Sequence, residues 1–203
     1  MTQIQNDSPM TDDFNICHAL KEWTVAVKAL EEGDMILLLR KGGIKEQGGN
    51  FSVKYHRVLL YPTIEHQNPN LLKSEYAPPV KIVASGTHYD EIKISSWADI
   101  THILPLNFSQ AERIIAPLES FHIWTQQWVR DRFNYKPKQP LYLLMLRTYI
   151  LSESILIPNH SSYQGCRSWI DLKQSISLEN SSAVLPEEQY NHRVNQIQSI
   201  INP

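Results

Sequence analysis

The sequence predicts a single α+β domain: a mixed, largely antiparallel β-sheet or a partly closed barrel, flanked by helices. Residues 35–39 and 141–150 are mostly apolar runs without regular polar alternation, which is typical of strands covered on both faces. The predicted strands cluster before the central helices, and another strand follows them. This order favours a mixed sheet over a regular βαβ repeat.

The first half of the chain begins with a predicted helix. Gly33 suits the end of this helix, and apolar residues recur before it at helical spacings of four and three: Ile16, Leu20, Trp23, Val27 and Leu30. A buried strand is predicted over residues 35–39. A second strand is predicted over residues 51–61, where apolar and polar residues first alternate and the end is apolar throughout.

In the second half, residues 80–84 and 90–94 predict two short strands, or one hairpin, that turn at Gly86. Ser109 and Glu112 form a capping-box pattern that opens a short helix. The remaining predicted elements are a helix over 118–133, a strand at 141–150, a polar loop at 152–164, a short strand at 168–172 and a helix that begins near Pro186.

Length and composition indicate one globular domain. The 203 residues are 42% hydrophobic and 20% charged, and we expect a disordered tail over residues 1–13 before a single domain over 14–203. Cys17 and Cys166 form no CxxC motif, which suits a reducing compartment. The polar start lacks the features of a signal peptide, and no apolar run approaches the ~20 residues of a membrane span. We therefore expect a soluble, cytoplasmic protein with no membrane partner.

A basic glycine loop is the first candidate site. Arg40, Lys41, Gly42 and Gly43 follow the predicted strand at 35–39. Glycines let the backbone approach an anion closely, and arginine offers a two-pronged contact to phosphate. Because the net charge is −2, any anion site must be local. The same pattern is also typical of a solvated turn between two strands.

Catalytic candidates are more scattered. Glu65 and His66 follow a predicted buried strand, as residues that transfer protons or bind metal can, although an exposed helix start also has this pattern. Glu91 and Lys93 form the E-x-K pattern of PD-(D/E)XK nucleases, whose acids bind Mg²⁺. That site would draw its acids from Glu46, Glu65 and Glu91, and it lacks the aspartate expected on the preceding strand. No metal ligands are assigned outside this alternative.

Two further patterns involve a cysteine and a basic run. Cys166 lies beside Arg167, whose charge would favour a thiolate nucleophile, but a small buried cysteine is the commoner arrangement. The basic run is interleaved with Trp128, Phe133 and Tyr135, and its cations are Arg130, Arg132, Lys136 and Lys138. Such a run can bind single-stranded nucleic acid or can simply complement the C-terminus of a helix.

Short segments in a fixed order carry a family resemblance. They read ALKEW at 19–23, LLLRKGGIKE at 37–46, LLYPTIEHQ at 59–67, HIWT at 122–125 and YQGCRSW at 163–169. Together they resemble a bacterial, largely cyanobacterial family, domain of unknown function 1802, from Ala19 to the end of the chain. The family's strand after Phe51 usually reads Val-Glu, whereas this chain has Val53 and Lys54. The resemblance implies no activity.

These observations lead to three functional hypotheses. The first is a non-catalytic domain that binds an anion, either nucleic acid or another phosphate-bearing ligand, at the basic glycine loop. The second is a metal-dependent nuclease or phosphodiesterase of PD-(D/E)XK type, and only this hypothesis requires Mg²⁺. The third is a protein-interaction domain. The sequence identifies no other cofactor and no particular protein partner.

Overall fold

A mostly antiparallel sheet with helices on one face organises the chain. The structure is a computed structural model that describes residues 14–41, 45–47, 50–84, 86–165 and 167–202, with the backbone alone at 45–47 and 50–52. The predicted tail over residues 1–13 lies outside these ranges. Within them, no helix is long and apolar enough to cross a membrane.

The described residues form nine strands and four α-helices, joined in places by short 3-10 helices. In chain order these elements are β1 (Asn15–Trp23), α1 (Thr24–Glu31), β2 (Leu37–Arg40), β3 (Lys45–Gln47), β4 (Asn50–Ser52), β5 (Arg57–Thr63), β6 (Glu91–Leu106), α2 (Ala111–Leu118), α3 (Gln126–Asn134), β7 (Leu141–Pro158), β8 (Trp169–Ser177), β9 (Ser182–Ala183) and α4 (Glu187–Ile201).

Six strands of the main sheet lie in the order β2-β7-β6-β5-β1-β8, and β9 adds a seventh by pairing with β7. β1 and β5 run parallel, whereas the other pairs described in this sheet are antiparallel. The sheet is open, because no ladder in the described residues joins β2 to β8. β3 and β4 form a separate hairpin. These findings confirm the predicted α+β class with a mixed, largely antiparallel sheet.

The sheet buries apolar side chains on both faces. Neighbouring residues of β5 enter different apolar clusters, Leu60 the larger and Leu59 the smaller, because strand side chains alternate between faces. All four helices pack buried side chains into the larger cluster. The smaller cluster consists mainly of strand residues, and register shifts after Ile94 and Ile100 provide the bends that a curved sheet needs.

The predicted helix that starts at Ile16 is wrong in its first half. Residues 15–23 form β1, which lies between β5 and β8, and α1 begins only at Thr24. The spacing of the apolar residues fits a helix, but Ala19 and Leu20 are both fully buried and enter different clusters. Burial of adjacent residues on opposite faces is the pattern of an interior strand. Pairing on both edges outweighs the weak local preference for helix.

The boundaries predicted for the second half also differ from the structure. Residues 80–84 form no strand, and the expected hairpin at Gly86 is replaced by the long pairing of β6 with β7. β7 extends through much of the predicted polar loop, because the polar residues at 152–154 lie on exposed parts of the strand. The helix predicted over 118–133 is divided, since Thr125 is extended and caps α3 by accepting a hydrogen bond from the Trp128 N–H.

Gly33 connects α1 to β2 and cannot be replaced without strain. Its φ of +75° is a left-handed conformation, and a Cβ at this position would lie 2.9 Å from Leu185 Cδ2. Gly86 has a similar φ of +83°, but a Cβ added there would have no neighbouring atom within 4 Å. We expect Gly33→Ala to lower the free energy of unfolding by the ~1–2 kcal/mol that the left-handed backbone costs and by a small further amount, because the end of the Leu185 side chain must shift.

Urea denaturation of Gly33→Ala and Gly86→Ala measures this difference. Gly86→Ala is the matched control, because it introduces the backbone strain without the contact to Leu185. Equal losses in the two variants would show that the close approach to Leu185 contributes nothing.

Candidate functional site

The parallel pairing of β1 with β5 brings the C-terminal ends of both strands together. Trp23 pairs with Thr63, and the segment before β8 joins them, because the Lys21 N–H donates to the Ser168 carbonyl over 2.8 Å. A cavity of about 340 Å³ opens between these three chain segments, and β2 and α3 complete its walls. Side chains at these ends therefore line one cavity that is open to solvent.

Arg40 crosses from β2 to the opposite edge of the sheet. Its Nη1 donates to Ser168 Oγ over 3.0 Å, its Nη2 donates to the Lys21 carbonyl over 2.9 Å, and Nη2 lies 2.7 Å from Glu22 Oε2. Glu22 is held in turn, because its Oε1 accepts a hydrogen bond from the Trp23 N–H. The guanidinium is thus fixed in the cavity wall, and only 15% of the side chain is exposed.

A buried ion pair forms the floor beside Arg40. Lys21 Nζ donates to Glu65 Oε2 over 2.7 Å and to the carbonyls of Tyr163 and Gly165 over 3.1 Å each. These three acceptors match the three donors of an ammonium group. The two side chains are only 7% and 8% exposed. Lys21 therefore connects β1 to the ends of two other segments.

The charge state of Glu65 depends on this pair. Burial alone raises the pKa of a carboxyl group, but the hydrogen bond and charge of Lys21 outweigh burial here, with smaller contributions from His88 and His66. The pKa of Glu65 is therefore lowered. The carboxylate is charged at neutral pH and is occupied by its partner.

Tryptophan rings line the wall that α3 provides. Trp124 and Trp128 stack with centroids 4.7 Å apart and planes 13° apart, and the Arg132 guanidinium lies 5.2 Å from the Trp128 ring centroid. Trp23 faces the cavity from the end of β1. The cavity therefore combines flat aromatic faces with cationic groups.

The lining carries an excess of positive charge. Its cations are Lys21, Arg40, Arg132 and Arg167, and its carboxylates are Glu22 and Glu65, which leaves two positive charges on a protein whose net charge is −2. Burial, and then the nearby charge of Arg40, lower the pKa of Arg132. Cations held this close repel one another, so an anion between them would be stabilised.

The structure brings some of the predicted site residues together and separates others. Arg40, Glu65 and His66 line the cavity, and His66 is exposed at its rim with a φ of +59°. Lys41 follows Arg40 outside the cavity, where its Nζ donates to the Gln139 carbonyl over 2.7 Å. Gly42, Gly43, Cys166 and the side chain of Glu46 lie outside the described residues.

Two acids of the nuclease alternative, Glu65 and Glu91, are not brought together by the structure. Glu91 and Lys93 occupy exposed positions of β6 and are not part of the cavity lining, whereas Glu65 is buried against Lys21. Among the described residues, no group of three His, Cys, Asp or Glu side chains is placed to hold a metal ion.

Sequence reasoning missed most of the cavity wall. Because residues 16–30 were predicted to form a helix, Lys21, Glu22 and Trp23 were not identified as site residues. Two charged residues directly after the apolar Ala19-Leu20 were a usable signal of a site at the end of a strand. Arg132 lies in the basic run and does line the cavity. Arg130 of the same run instead pairs with Glu112 at 3.3 Å on the surface.

Comparison with known proteins identifies the family. Residues 19–196 match the family described as domain of unknown function (DUF1802). The chain belongs to this family. The match confirms the resemblance carried by the short segments, and it covers most of this DUF1802 protein. No curated protein matches the chain.

Solved structures with a similar arrangement come from Zymomonas mobilis. The ASCH protein of that organism is 14% identical, with a TM-score of 0.44 over 88% of this chain and 93% of that chain. A single-residue variant of the same protein is 12% identical, with a TM-score of 0.43 over 88% and 96% of the two chains.

The Lys21–Glu65 pair gives a stability prediction with a defined pH dependence. Glu65→Gln leaves the Lys21 ammonium buried without a counter-charge, so we expect the free energy of unfolding to fall by about 3 kcal/mol at neutral pH. Because the folded pKa of Glu65 is lowered, its stabilising effect is complete above the ordinary value of 4.5 and is lost as the pH falls through the folded value. The difference between wild type and variant should therefore narrow in acid.

Urea denaturation at pH 7 and at several pH values below 4.5 measures this difference. Lys21→Met combined with Glu65→Met is the control, since it removes both charges and should be more stable than Glu65→Gln at pH 7. A difference that stays constant or widens in acid would contradict the assignment of a charged pair.

Proposed function

We propose that the cavity binds nucleic acid without catalysing a reaction. Phosphate would lie among Arg40, Arg132 and Arg167, and a base would stack on the half-buried ring of Trp23, which lines the cavity. The observation that carries the proposal is an excess of positive charge beside aromatic rings in one cavity of a protein with a net negative charge. The proposal moves the anion site from the basic glycine loop to the cavity that Arg40 enters.

Two of the arginines are already held in place, which favours phosphate recognition. A guanidinium binds phosphate through parallel N–H donors, and a group that is already held in place loses less entropy on binding. Ser168 and the Lys21 carbonyl fix Arg40, and the ring of Trp128 supports Arg132. Arg167 is exposed at the mouth of the cavity.

The Trp23 ring offers a stacking surface for the base of a nucleotide. Stacking of a base on an aromatic side chain contributes about 1–3 kcal/mol and does not depend on base identity, because every base has a π-face. The cavity volume of about 340 Å³ lies near the lower end of the range for small-ligand sites, roughly 300–1,000 Å³. That volume suits one nucleotide.

Binding is favoured over catalysis because the titratable groups of the cavity are already engaged in contacts with one another. Lys21 donates to three acceptors and Glu65 is paired with it, so neither group is available to transfer a proton. The nuclease alternative also requires Glu91 to act with a second acid, and Glu91 is exposed on β6 away from the cavity lining.

Substitutions that each remove one positive charge from the cavity test the proposal. We expect Arg132→Gln and Arg167→Gln each to weaken binding of a labelled single-stranded oligonucleotide about tenfold, because each removes a charge-assisted contact. Each should also reduce the slope of log K against log salt concentration by about 1. Fluorescence anisotropy at several salt concentrations measures both quantities.

Arg130→Gln is the matched control, because it makes the same charge change on the same helix, where Arg130 pairs with Glu112 outside the cavity. Equal losses for Arg130→Gln and Arg132→Gln would contradict a cavity site. No binding by wild type at any salt concentration would overturn the proposal and leave the protein-interaction hypothesis. Cleavage that requires Mg²⁺ and is abolished by Glu91→Ala would favour the nuclease alternative.

A further inference from the structure

Further cations lie beside the cavity, at the end of β2 and on the turn that follows α3. Lys41 is the residue after Arg40, and its hydrogen bond to the Gln139 carbonyl attaches the end of β2 to the turn that follows α3. The Gln139 N–H donates to the Lys136 carbonyl over 2.9 Å, which closes this turn. Lys136 and Lys138 are exposed on it. The basic surface therefore continues past the cavity wall.

An exposed aromatic ring lies within this group. The Tyr135 side chain is 53% exposed, and the Lys136 ammonium lies 5.3 Å from its ring centroid. None of Lys41, Lys136 and Lys138 forms an ion pair among the described residues. We call this group the basic track: Lys41, Tyr135, Lys136 and Lys138. It offers positive charge and a stacking face without a neutralising carboxylate.

The basic track is continuous with the cavity. Tyr135 is the C-cap of α3, three residues after Arg132, the spacing that places two side chains on the same side of a helix, and Lys136 follows it with a φ of +48° as the chain leaves the helix. Burial, and then the charge of Arg132, lower the pKa of Lys41, so these two cations are close enough to interact. Arg130 points elsewhere, to Glu112. A ligand that leaves the cavity beside Arg132 would reach the basic track next.

We propose that the ligand is a single-stranded nucleic acid several nucleotides long, with one nucleotide in the cavity and the next phosphates and base on the basic track. This inference rests on the proposed function of the cavity and adds the strandedness and the path of the ligand. The cavity admits one unpaired nucleotide, and the Tyr135 ring can stack only on a base that is not covered within a duplex. A mononucleotide ligand would make no use of the basic track.

The dependence of affinity on length tests this path. Anisotropy is measured with a labelled mononucleotide, a labelled single-stranded octanucleotide and a duplex of the octanucleotide. We expect wild type to bind the single-stranded octanucleotide at least about tenfold more tightly than the mononucleotide or the duplex, since added phosphate contacts and stacking each contribute.

Variants of the basic track show which residues give the octanucleotide its higher affinity. Combined Tyr135→Ser, Lys136→Gln and Lys138→Gln should remove the advantage of the octanucleotide and leave mononucleotide binding unchanged, because all three side chains are exposed outside the cavity. Lys93→Gln combined with Lys173→Gln is the control, as it removes two exposed lysines from β6 and β8. Arg132→Gln should weaken both ligands.

The outcomes separate the two proposals. If Arg132→Gln weakens binding but the octanucleotide keeps its advantage in the triple variant, the basic track is overturned and the cavity site stands. Equal affinity for the duplex and the single strand would also overturn the inferred path. If wild type binds none of the three ligands, the proposed function and this inference both fail.

Discussion

The buried contact between Lys21 and Glu65 holds the candidate site together. Its ammonium group lies at the end of β1, its carboxylate just beyond β5, and the two carbonyls that complete the ammonium shell belong to the segment before β8. Such a pair gains little over apolar packing, but it becomes costly when one partner is removed. The energetic role of the pair is therefore to fix three chain ends relative to one another.

The cavity wall follows from those fixed points. Glu22 and Trp23 are the residues after Lys21, His66 follows Glu65, and Ser168 lies three residues after Gly165. Arg40 adds a connection that the backbone lacks, since it extends from one edge strand of the open sheet to residues at the other. Backbone hydrogen bonds between the two edges would have closed the sheet. The Arg40 guanidinium instead connects the edges and still presents positive charge to the cavity.

Local pattern predicted the framework of the fold but not the cavity. The apolar runs at 35–39 and 141–150 and the stripe after Pro186 became β2, part of β7 and α4, because burial and periodicity agreed there. The prediction for residues 15–23 was wrong. The spacing of their apolar residues fits a helix, but their burial on both faces arises from strands elsewhere in the chain. Arg40 and Glu65 were predicted one by one, each at the end of an apolar run. Their meeting depends on the pairing of β1 with a strand about 40 residues later, and no spacing rule encodes that contact.

The composition of the site explains why a binding role follows more readily than a catalytic one. General acid–base catalysis needs groups whose protonation changes near the working pH. Around this cavity, Lys21 and Glu65 neutralise each other, and the charge that faces the open space belongs to arginines, which stay protonated at any physiological pH. With His66 at the rim as the one imidazole of the described lining, the interior presents a constant positive charge and flat aromatic surfaces. Such a surface suits the proposed binding of an anion that carries a planar ring.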